Sequence, residues 1–520
     1  MHTKSYMLHI IMAYMLFFVA PMVQAQTSLS AKELEDIIKD GHSYFYFEEY
    51  EEALPLYMQA LAEQPNNANL HYLAGFCYLH IAGRKHSAIA HLEQAAQNMT
   101  RRHRPNSATE TKAPIDALFY LGNAYFVNNQ LDRALDAYQR FKDSVSTRRR
   151  SDWNKDYWEH QTAAVRVAQL AQQSPIDLMM RNIGSTFNDR FDDFGAVLSG
   201  DGQTLAYTSK RKFYNAIMVS RRQSDGSWSK PVNITLDLKV NGTCSTLSLS
   251  FDGSRLYLHK EENQDGNIFV STYNGMAWSE MQRLGRNVNT DYYEAHASES
   301  PDGKYLVFSS NRSGGYGDLD LYISPRTDDG DWGVPTNMGP IVNTRYNENT
   351  PFFSANGNLL FFSSEGHENT GCYDMFVAQN NQYISWGKPN NLGYPLNTPD
   401  DDLFLSPIGD GTRALLSRFG DNGRGSQTIY EVTMFTPLLD QQLVMASSPR
   451  RPRLDANFAV IDTLPTSNVV FVDSLATVSL FAPDTLYPPK LHYQGKVYEV
   501  KYKEGLNDEF LQRFAPRTSL

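Results

Sequence analysis

The second half of the chain repeats one pattern of apolar and polar positions five times. Each copy has a turn glycine with apolar residues three and five positions later, a two-residue step that places both on one face of a β-strand. The glycines are Gly202, Gly253, Gly303, Gly357 and Gly411, and tryptophans follow in phase at Trp228, Trp278, Trp332 and Trp386. A period of 50 to 54 residues is typical of β-propeller blades, which are small four-stranded sheets.

The two ends of this repeat predict the number of blades. The fifth copy ends near Val432 without its final tryptophan and Leu-Gly piece, whereas residues 176–184 read as an outer strand with no preceding copy. We therefore expect five blades, with the N-terminal strand completing the last blade and closing the ring. A six-bladed ring that uses residues 455–500 is the alternative.

The first part of the chain has a helical pattern instead. A glycine precedes a tyrosine by three positions in three places, and an alanine follows each glycine by 12 or 13 positions: Gly41, Tyr44 and Ala53; Gly75, Tyr78 and Ala88; Gly122, Tyr125 and Ala134. Small residues at these positions allow two helices to approach closely, so we predict three helix pairs. A closing helix is predicted over residues 157–172, with Ala163, Val165, Val167, Ala168 and Leu170 available for burial.

This helical pattern resembles the tetratricopeptide repeat (TPR), a helix pair of 34 residues. In that family the first helices line a concave groove, and the resemblance implies partner-binding positions at Ile38, His42, Phe45, Tyr46, Tyr72, Phe76, Leu79, His80, Phe119, Asn123, Phe126 and Val127. Such an apolar and aromatic surface would suit a peptide or a helix. Alternatively, the closing helix or the propeller covers it. The Lys/Asn clamp of the chaperone-binding members is absent, because Ile38 and His42 occupy its positions.

The propeller copies, over about residues 176–435, resemble the WD-like repeat of the TolB type, a bacterial envelope propeller. The N-terminus is consistent with export, because an apolar stretch over residues 7–23 ends in Val23-Gln24-Ala25, a small-x-small cleavage site. Cleavage before Gln26 is expected, and a retained membrane anchor is the alternative. No other segment approaches 18 apolar residues, so we expect no transmembrane span in the mature chain.

These patterns divide the chain into four parts. Residues 1–25 are predicted to be a signal peptide, residues 28–173 a TPR domain with its closing helix, and residues 176–440 a TolB-like propeller. Residues 441–520 are predicted to be a linker and a small β-rich extension. Within that extension, residues 469–480 are strand-like and residues 491–503 form a hairpin. The fold class is thus multidomain, an α-solenoid followed by a β-propeller.

Composition narrows the function. A net charge of −11 disfavours nucleic acid as a partner. The three cysteines, Cys77, Cys244 and Cys372, are too few for a disulfide framework, and we expect them to be buried as small apolar residues. Acidic clusters could hold calcium, but no EF-hand spacing is present and turn stabilisation is expected. These clusters are Asp189, Asp192 and Asp193, and Asp400, Asp401 and Asp402.

The sequence contains neither a Gly-x-Ser-x-Gly elbow nor an HExxH helix, and no spare segment is long enough for a catalytic domain. We expect no enzyme activity, no cofactor and no metal. The combination of modules resembles periplasmic scaffold proteins of the Bacteroidetes envelope, some of which serve outer-membrane complexes that include type IX secretion and gliding. That resemblance implies a scaffold for envelope proteins or peptides, associated with the outer membrane through them. A small-ligand or glycan-sensing propeller is the alternative, and a hydrolase is the third hypothesis.

Overall fold

The computed structural model describes residues 29–145, 155–240, 244–262, 265–420, 424–435 and 438, with four short strands beyond them. The predicted signal peptide and the strand predicted over residues 469–480 lie outside this part of the chain. The four short strands are β24 (Arg451–Leu454), β25 (Val460–Leu464), β26 (Lys490–Tyr493) and β27 (Lys496–Glu499).

The helical domain consists of three helix pairs and a seventh helix, as the glycine and alanine spacing predicts. The pairs are α1 (Ala31–Tyr46) with α2 (Tyr50–Glu63), α3 (Ala68–His80) with α4 (Ala88–Ala95), and α5 (Ala117–Val127) with α6 (Leu131–Ser144). Helix α7 (Lys155–Ala171) follows, and two short parallel strands, β1 (Met99–Thr100) and β2 (Ala113–Pro114), lie between α4 and α5. Ser30 and Glu33 form a capping box that fixes the start of α1.

The glycines of the helix pairs are required by close contact. A Cβ atom on Gly122 would lie 2.4 Å from Cε1 of Tyr138, and one on Gly41 would lie 2.9 Å from Cε1 of Tyr57. Both tyrosine side chains are fully buried, so neither ring has room to move away. Each glycine therefore sets the distance between the two helices of its pair.

Helix α7 closes the helical domain with fewer buried residues than predicted. Val165 and Ala168 are buried as expected, together with Ala164, and the Trp158 indole donates a hydrogen bond to the Tyr138 carbonyl. The prediction of burial is wrong for Val167 and Leu170, which are exposed. They lie on the side of α7 that the preceding pair does not cover.

Five sheets form the propeller. Blade 1 contains β4 (Asp192–Leu198), β5 (Thr204–Lys210), β6 (Asn215–Arg221) and β7 (Val232–Asn233); blade 2 contains β8 (Cys244–Leu249), β9 (Arg255–Glu262), β10 (Asp265–Thr272) and β11 (Gln282–Arg283); blade 3 contains β12 (Glu294–Glu299), β13 (Tyr305–Ser310), β14 (Asp320–Pro325) and β15 (Thr336–Asn337); blade 4 contains β16 (Glu348–Phe353), β17 (Leu359–Ser364), β18 (Asp374–Asn381), β19 (Ser385–Trp386) and β20 (Asn390–Asn391); blade 5 contains β21 (Ser406–Ile408), β22 (Arg413–Gly420), β23 (Arg424–Met434) and β3 (Leu178–Asn182). All neighbouring strands within a blade are antiparallel.

The ring closes as the two ends of the repeat predict. Strand β3, at the N-terminal end, pairs with β23 at the C-terminal end, with Met180 opposite Val432. The innermost strands contact each other in the order β4, β8, β12, β16, β21, and β21 contacts β4 again. Five blades are therefore confirmed, and the six-bladed alternative is wrong. Strands β24 and β25 form one separate two-stranded sheet, and β26 and β27 form another, in which residues 490–493 pair antiparallel with residues 496–499 of the predicted hairpin. The rest of that hairpin lies outside the described residues.

The repeated apolar positions form the cores between blades. The residues three and five positions after each glycine are almost fully buried, and Leu306 and Phe308 belong to one cluster with Trp332. The same cluster contains Leu247 and Tyr257 of blade 2, so it joins blade 2 to blade 3. The tryptophan recurs in the sequence because its side chain packs between neighbouring blades.

Replacing Trp332 with alanine tests this packing. Trp332 is 3% exposed, so its truncation should lower the free energy of unfolding by about 3–5 kcal/mol. Val334→Ala is the matched control, because Val334 is 76% exposed and its removal should change stability by less than about 0.5 kcal/mol. Chemical denaturation followed by tryptophan fluorescence measures both. Equal losses in the two variants would contradict the assigned core.

Candidate interaction site

The twelve predicted groove residues lie along α1, α3 and α5, but most of them are not exposed. Seven are buried: Ile38, Phe45, Tyr72, Phe76, Leu79, Phe119 and Phe126. His42, His80, Asn123 and Val127 are partly buried, and Tyr46 is 39% exposed. The expectation of an exposed apolar groove is therefore wrong at the seven buried positions. A partner-binding role for the groove residues stays a prediction.

Aromatic packing between successive repeats explains this burial. The Phe76 ring lies 5.1 Å from Phe45 of α1 and 4.7 Å from Tyr120 of α5, measured between ring centroids, and it stacks on His80 at 4.3 Å. Offset and edge-to-face ring pairs at these distances are favourable beyond the area that they bury. The first helices thus form a continuous core, in which Phe76 is the central residue.

The helical domain is bonded to the propeller through Lys85, in the turn between α3 and α4. Its Nζ lies 2.6 Å from Asp400 Oδ1 and 2.9 Å from Asp401 Oδ2, and the Lys85 side chain is only 18% exposed. Burial alone would lower the pKa of Lys85, but the two carboxylates outweigh it and hold that pKa well above its usual range. Lys85 is therefore a charged bridge between the two domains.

Three further contacts surround this bridge. A Cβ atom on Gly83 would meet the Phe419 ring of blade 5 at 2.8 Å, so the α3–α4 turn sits directly on that ring. The His160 ring of α7 stacks on Tyr346 at 5.3 Å. An exposed pair joins Glu51 of α2 to Lys210 of blade 1 at 4.0 Å, and such a pair contributes little.

These contacts define the side of the propeller that the helical domain covers. In every blade the glycine turn joins the first strand to the second at one face of the propeller. We call the opposite face the loop face, because the chain segments that lead into each innermost strand lie there. Asp400 and Tyr346 lie just before β21 and β16, while Lys210 and Phe419 lie at the ends of second strands. All four positions belong to the loop face, so the helical domain lies across it.

A repeated hydrogen-bond motif shapes the loop face. The side chain of Asn289 pairs with both backbone groups of Ile268, accepting from its N–H and donating to its carbonyl. Asn343 and Asn397 make the same two bonds with Leu321 and Met375. Each of these asparagines is followed by a threonine, at Thr290, Thr344 and Thr398, and each holds a blade-to-blade connection against the third strand of its blade.

The threonine of each Asn-Thr pair binds a carboxylate, and the sequence analysis missed two of these, Glu294 and Glu348. Thr290 donates from its N–H and its hydroxyl to Glu294, and Ser310 also donates to Glu294. The equivalent carboxylates are Asp193, Glu294, Glu348 and Asp402, and each stands nine positions before its turn glycine, with Cys244 in that place in blade 2. That fixed distance from the glycine is the signal that could have identified them.

Burial shifts the protonation of these carboxyls. Burial raises the pKa of Glu348 to about 8, against the effect of donors from Thr344 and Ser364. It raises the pKa of Asp402 to about 7 despite the Arg418 guanidinium, and that of Asp374 in β18 to about 8. These groups are structural, because their oxygens accept hydrogen bonds from loop and strand donors.

The two acidic clusters of the calcium hypothesis are bonded in the same way. Asp189 accepts from the Phe191 N–H and pairs with Arg211, and Asp193 accepts from Ser209. Asp402 pairs with Arg418. Among the residues that the structure describes, no group of three or more His, Cys, Asp or Glu side chains is placed to hold a metal. Asp189 and Asp193 thus stabilise their own turn, whereas Asp400 and Asp401 bind Lys85 of the helical domain.

The centre of the ring is occupied by side chains. The Phe404 ring of blade 5 lies 5.1 Å from His296 of blade 3 and 5.2 Å from Phe352 of blade 4. Its Cζ would also lie 3.6 Å from a Cβ on Gly195 of blade 1. A side chain that reaches three other blades must lie near the axis. Phe404 has φ +67, a strained conformation that costs about 1–3 kcal/mol and that the surrounding packing must hold.

The cysteines are not placed for thiolate chemistry. Cys77 and Cys244 are fully buried, and Cys372 is partly buried. Burial raises the pKa of Cys244 to about 12 and raises the pKa of Cys77 and Cys372 well above the usual range. All three thiols are therefore protonated at neutral pH.

Comparison with known proteins supports the helical assignment. Two tetratricopeptide-repeat family models match the chain, one over residues 39–108 and the other over residues 116–146. Together the two matches reach from within α1 past the end of α6 and include residues of all three helix pairs, so the N-terminal domain contains TPR repeats. No curated protein matches the sequence significantly. None of the helices in the described part of the chain is both long and apolar enough to cross a membrane.

The propeller region is similar to several solved structures. TolB from Acinetobacter baumannii is 18% identical, with 48% of this chain and 55% of that chain covered and a TM-score of 0.32. A putative TolB from Agrobacterium tumefaciens is 16% identical, with 50% and 98% covered and a TM-score of 0.31. An aldose sugar dehydrogenase from Streptomyces coelicolor is 12% identical, with 50% and 99% covered and a TM-score of 0.28. This chain thus spans about half the length of the first relative. The propeller assignment itself rests on the strand pairing.

Replacing Lys85 with methionine tests the bridge between the domains. Methionine keeps most of the apolar length of the lysine side chain but leaves Asp400 and Asp401 without their cation. We expect a loss of about 1–3 kcal/mol in the free energy of unfolding, between the values for exposed and buried pairs. Limited proteolysis between the domains should also become faster. Lys304→Met is the control, since Lys304 is 74% exposed and 3.8 Å from Asp302. Equal behaviour of the two variants would contradict the bridge.

The buried carboxyls predict how stability depends on pH. The pKa of Glu348 is raised to about 8 in the folded protein, above its unfolded value near 4.3, so the folded state binds the proton more tightly. The stability that this provides is present below pH 4 and is lost as the pH rises toward 8. The contribution of Glu348 should therefore fall between pH 5 and pH 8, so the melting temperature of Glu348→Gln should rise relative to that of the wild type over this range. Glu63→Gln is the control, since Glu63 is exposed and its melting temperature should stay parallel to that of the wild type. A difference between Glu348→Gln and the wild type that is the same at pH 5 and pH 8 would contradict the assignment.

Proposed function

We propose that this protein is a non-catalytic scaffold that binds other proteins of the cell envelope. The observation that carries the proposal is the joining of two repeat modules into one body by the partly buried Lys85 bridge. Both modules present large surfaces, and the repeated buried asparagines and carboxylates of the propeller are used in structural hydrogen bonds. Such an assembly is suited to holding partners in a fixed arrangement.

The uncovered part of the loop face offers a surface for a protein partner. Five large apolar side chains on its connections in blades 1 to 3 are exposed: Phe213 (84%), Leu236 (90%), Tyr292 (43%), Tyr316 (43%) and Ile341 (50%). Single exposed apolar residues are ordinary, but several on the connections of one face favour an interaction surface. This surface complements the TPR domain, whose repeats suggest protein partners.

We further propose that the protein is exported to the periplasm and associates with the outer membrane through its partners, in a complex related to type IX secretion or gliding. The support is the apolar stretch and cleavage site within residues 1–25 and the resemblance of the module combination to Bacteroidetes envelope scaffolds. Fractionation and N-terminal sequencing of the mature chain test export, with Gln26 as the expected first residue. A cytoplasmic chain that retains Met1 would contradict it.

The alternative of a small-ligand or glycan-sensing propeller has less support. A ligand on the ring axis would have to displace Phe404, which packs against His296 and Phe352. A hydrolase is likewise disfavoured, because the buried carboxyls Glu294 and Glu348 serve as hydrogen-bond acceptors for the loops.

Photo-crosslinking combined with gentle co-purification tests the scaffold. A photoreactive amino acid is placed at Leu236 or Tyr292 on the loop face, or at Met276, which is 89% exposed between β10 and β11. We expect one stoichiometric protein partner, with the same partner crosslinked from Leu236 and Tyr292. Met276 is the matched control for exposure, and its crosslinking should be at least fivefold weaker. Recovery of the chain alone, without crosslinks at the loop face, would contradict the proposal.

A further inference from the structure

Two histidines face each other across the second TPR helix pair. Nδ1 of His71, on α3, lies 3.0 Å from Nδ1 of His91, on α4, and the ring centroids are 5.1 Å apart. Neither residue belongs to the predicted groove set. The scaffold function therefore leaves this pair unexplained.

The hydrogen bonds of the pair assign its protons. His71 Nε2 lies 2.9 Å from the Pro65 carbonyl oxygen, which can only accept, so Nε2 carries the proton and donates. Nδ1 of His71 then has a free lone pair. In the metal-free protein His91 Nδ1–H donates to that lone pair. A second nitrogen held by a backbone carbonyl is the arrangement that orients histidine ligands in metal sites.

We propose that His71 and His91 form a binding site for one divalent transition-metal ion of the Cu²⁺ or Ni²⁺ type. If an ion lies about 2.0–2.1 Å from each of two nitrogens that are 3.0 Å apart, the N–metal–N angle is about 94°. That angle fits the cis positions of square-planar or octahedral coordination, which these ions adopt, better than a tetrahedron. The ion takes the place of the hydrogen between the two Nδ1 atoms. That hydrogen, the proton of His91 Nδ1, moves to Nε2 of the same ring, so the protein loses no proton.

The surroundings of the pair favour this exchange. Both side chains are only partly buried, so an ion and its remaining water ligands can reach them. With two protein ligands, the bound ion would tie α3 to α4.

Titration of the tag-free, full-length protein with Cu²⁺ or Ni²⁺ tests the site. We expect one ion per chain, a visible absorption band from imidazole ligation and a higher melting temperature. His71→Ala should weaken the ion affinity at least tenfold. His91→Asn should weaken the ion affinity by the same factor. The asparagine Nδ2 can still donate a hydrogen bond to His71, so the melting temperature of the metal-free protein should not change. His42→Asn is the control, because His42 is bonded to the Tyr57 hydroxyl at 2.9 Å.

The two variants separate a metal site from a simple hydrogen bond. Loss of ion binding in His71→Ala and His91→Asn, with binding retained in His42→Asn, supports the site. Absence of ion binding by the wild-type protein would overturn the proposal. Unchanged affinity in both pair variants would also overturn it, because the ion would then be bound elsewhere.

Discussion

The pairing of β3 with β23 is the interaction on which the rest of the structure depends. These strands come from opposite ends of the propeller region, and their antiparallel ladder completes blade 5. Without it, blade 5 would expose a sheet edge, and the ring would have no closure between its first and last blades. Because β3 follows α7 after only a few residues, ring closure also tethers the helical domain beside blade 5.

That tether places the other inter-domain contacts. The α3–α4 turn meets blade 5 at Phe419, and Lys85 in the same turn reaches Asp400 and Asp401. Those carboxylates stand three and four residues before Phe404, the side chain that occupies the ring axis with a strained backbone. One chain segment thus connects the domain bridge with the filled centre of the propeller. The loop face, the domain interface and the axis belong to one packed unit.

Much of this architecture could be predicted from the sequence, because it repeats. The Gly and Trp periods predicted the blades, and the missing last piece beside the extra first strand predicted how the ring closes. The Gly41 and Gly122 contacts followed from helix spacing. Exposure of the groove could not be predicted, because it depends on how Phe76 meets Phe45 and Tyr120 of other repeats. The Lys85 bridge joins residues more than 300 positions apart and carries no local pattern. The Glu294 and Glu348 motif did carry one, a fixed distance from the glycine turn, which was overlooked among many acidic residues.

The central claim is that the helical domain and the propeller form a single body, with the helical domain fixed over the loop face. Double electron–electron resonance between spin labels at Gln59 of α2 and Met276 of blade 2, on a background with Cys77, Cys244 and Cys372 replaced by alanine, measures this directly. The structure predicts one narrow distance distribution, because contacts at Lys85, Gly83 and His160 hold the helical domain against the propeller. A broad distribution from the same two labels would show that the domains move independently and would contradict the account.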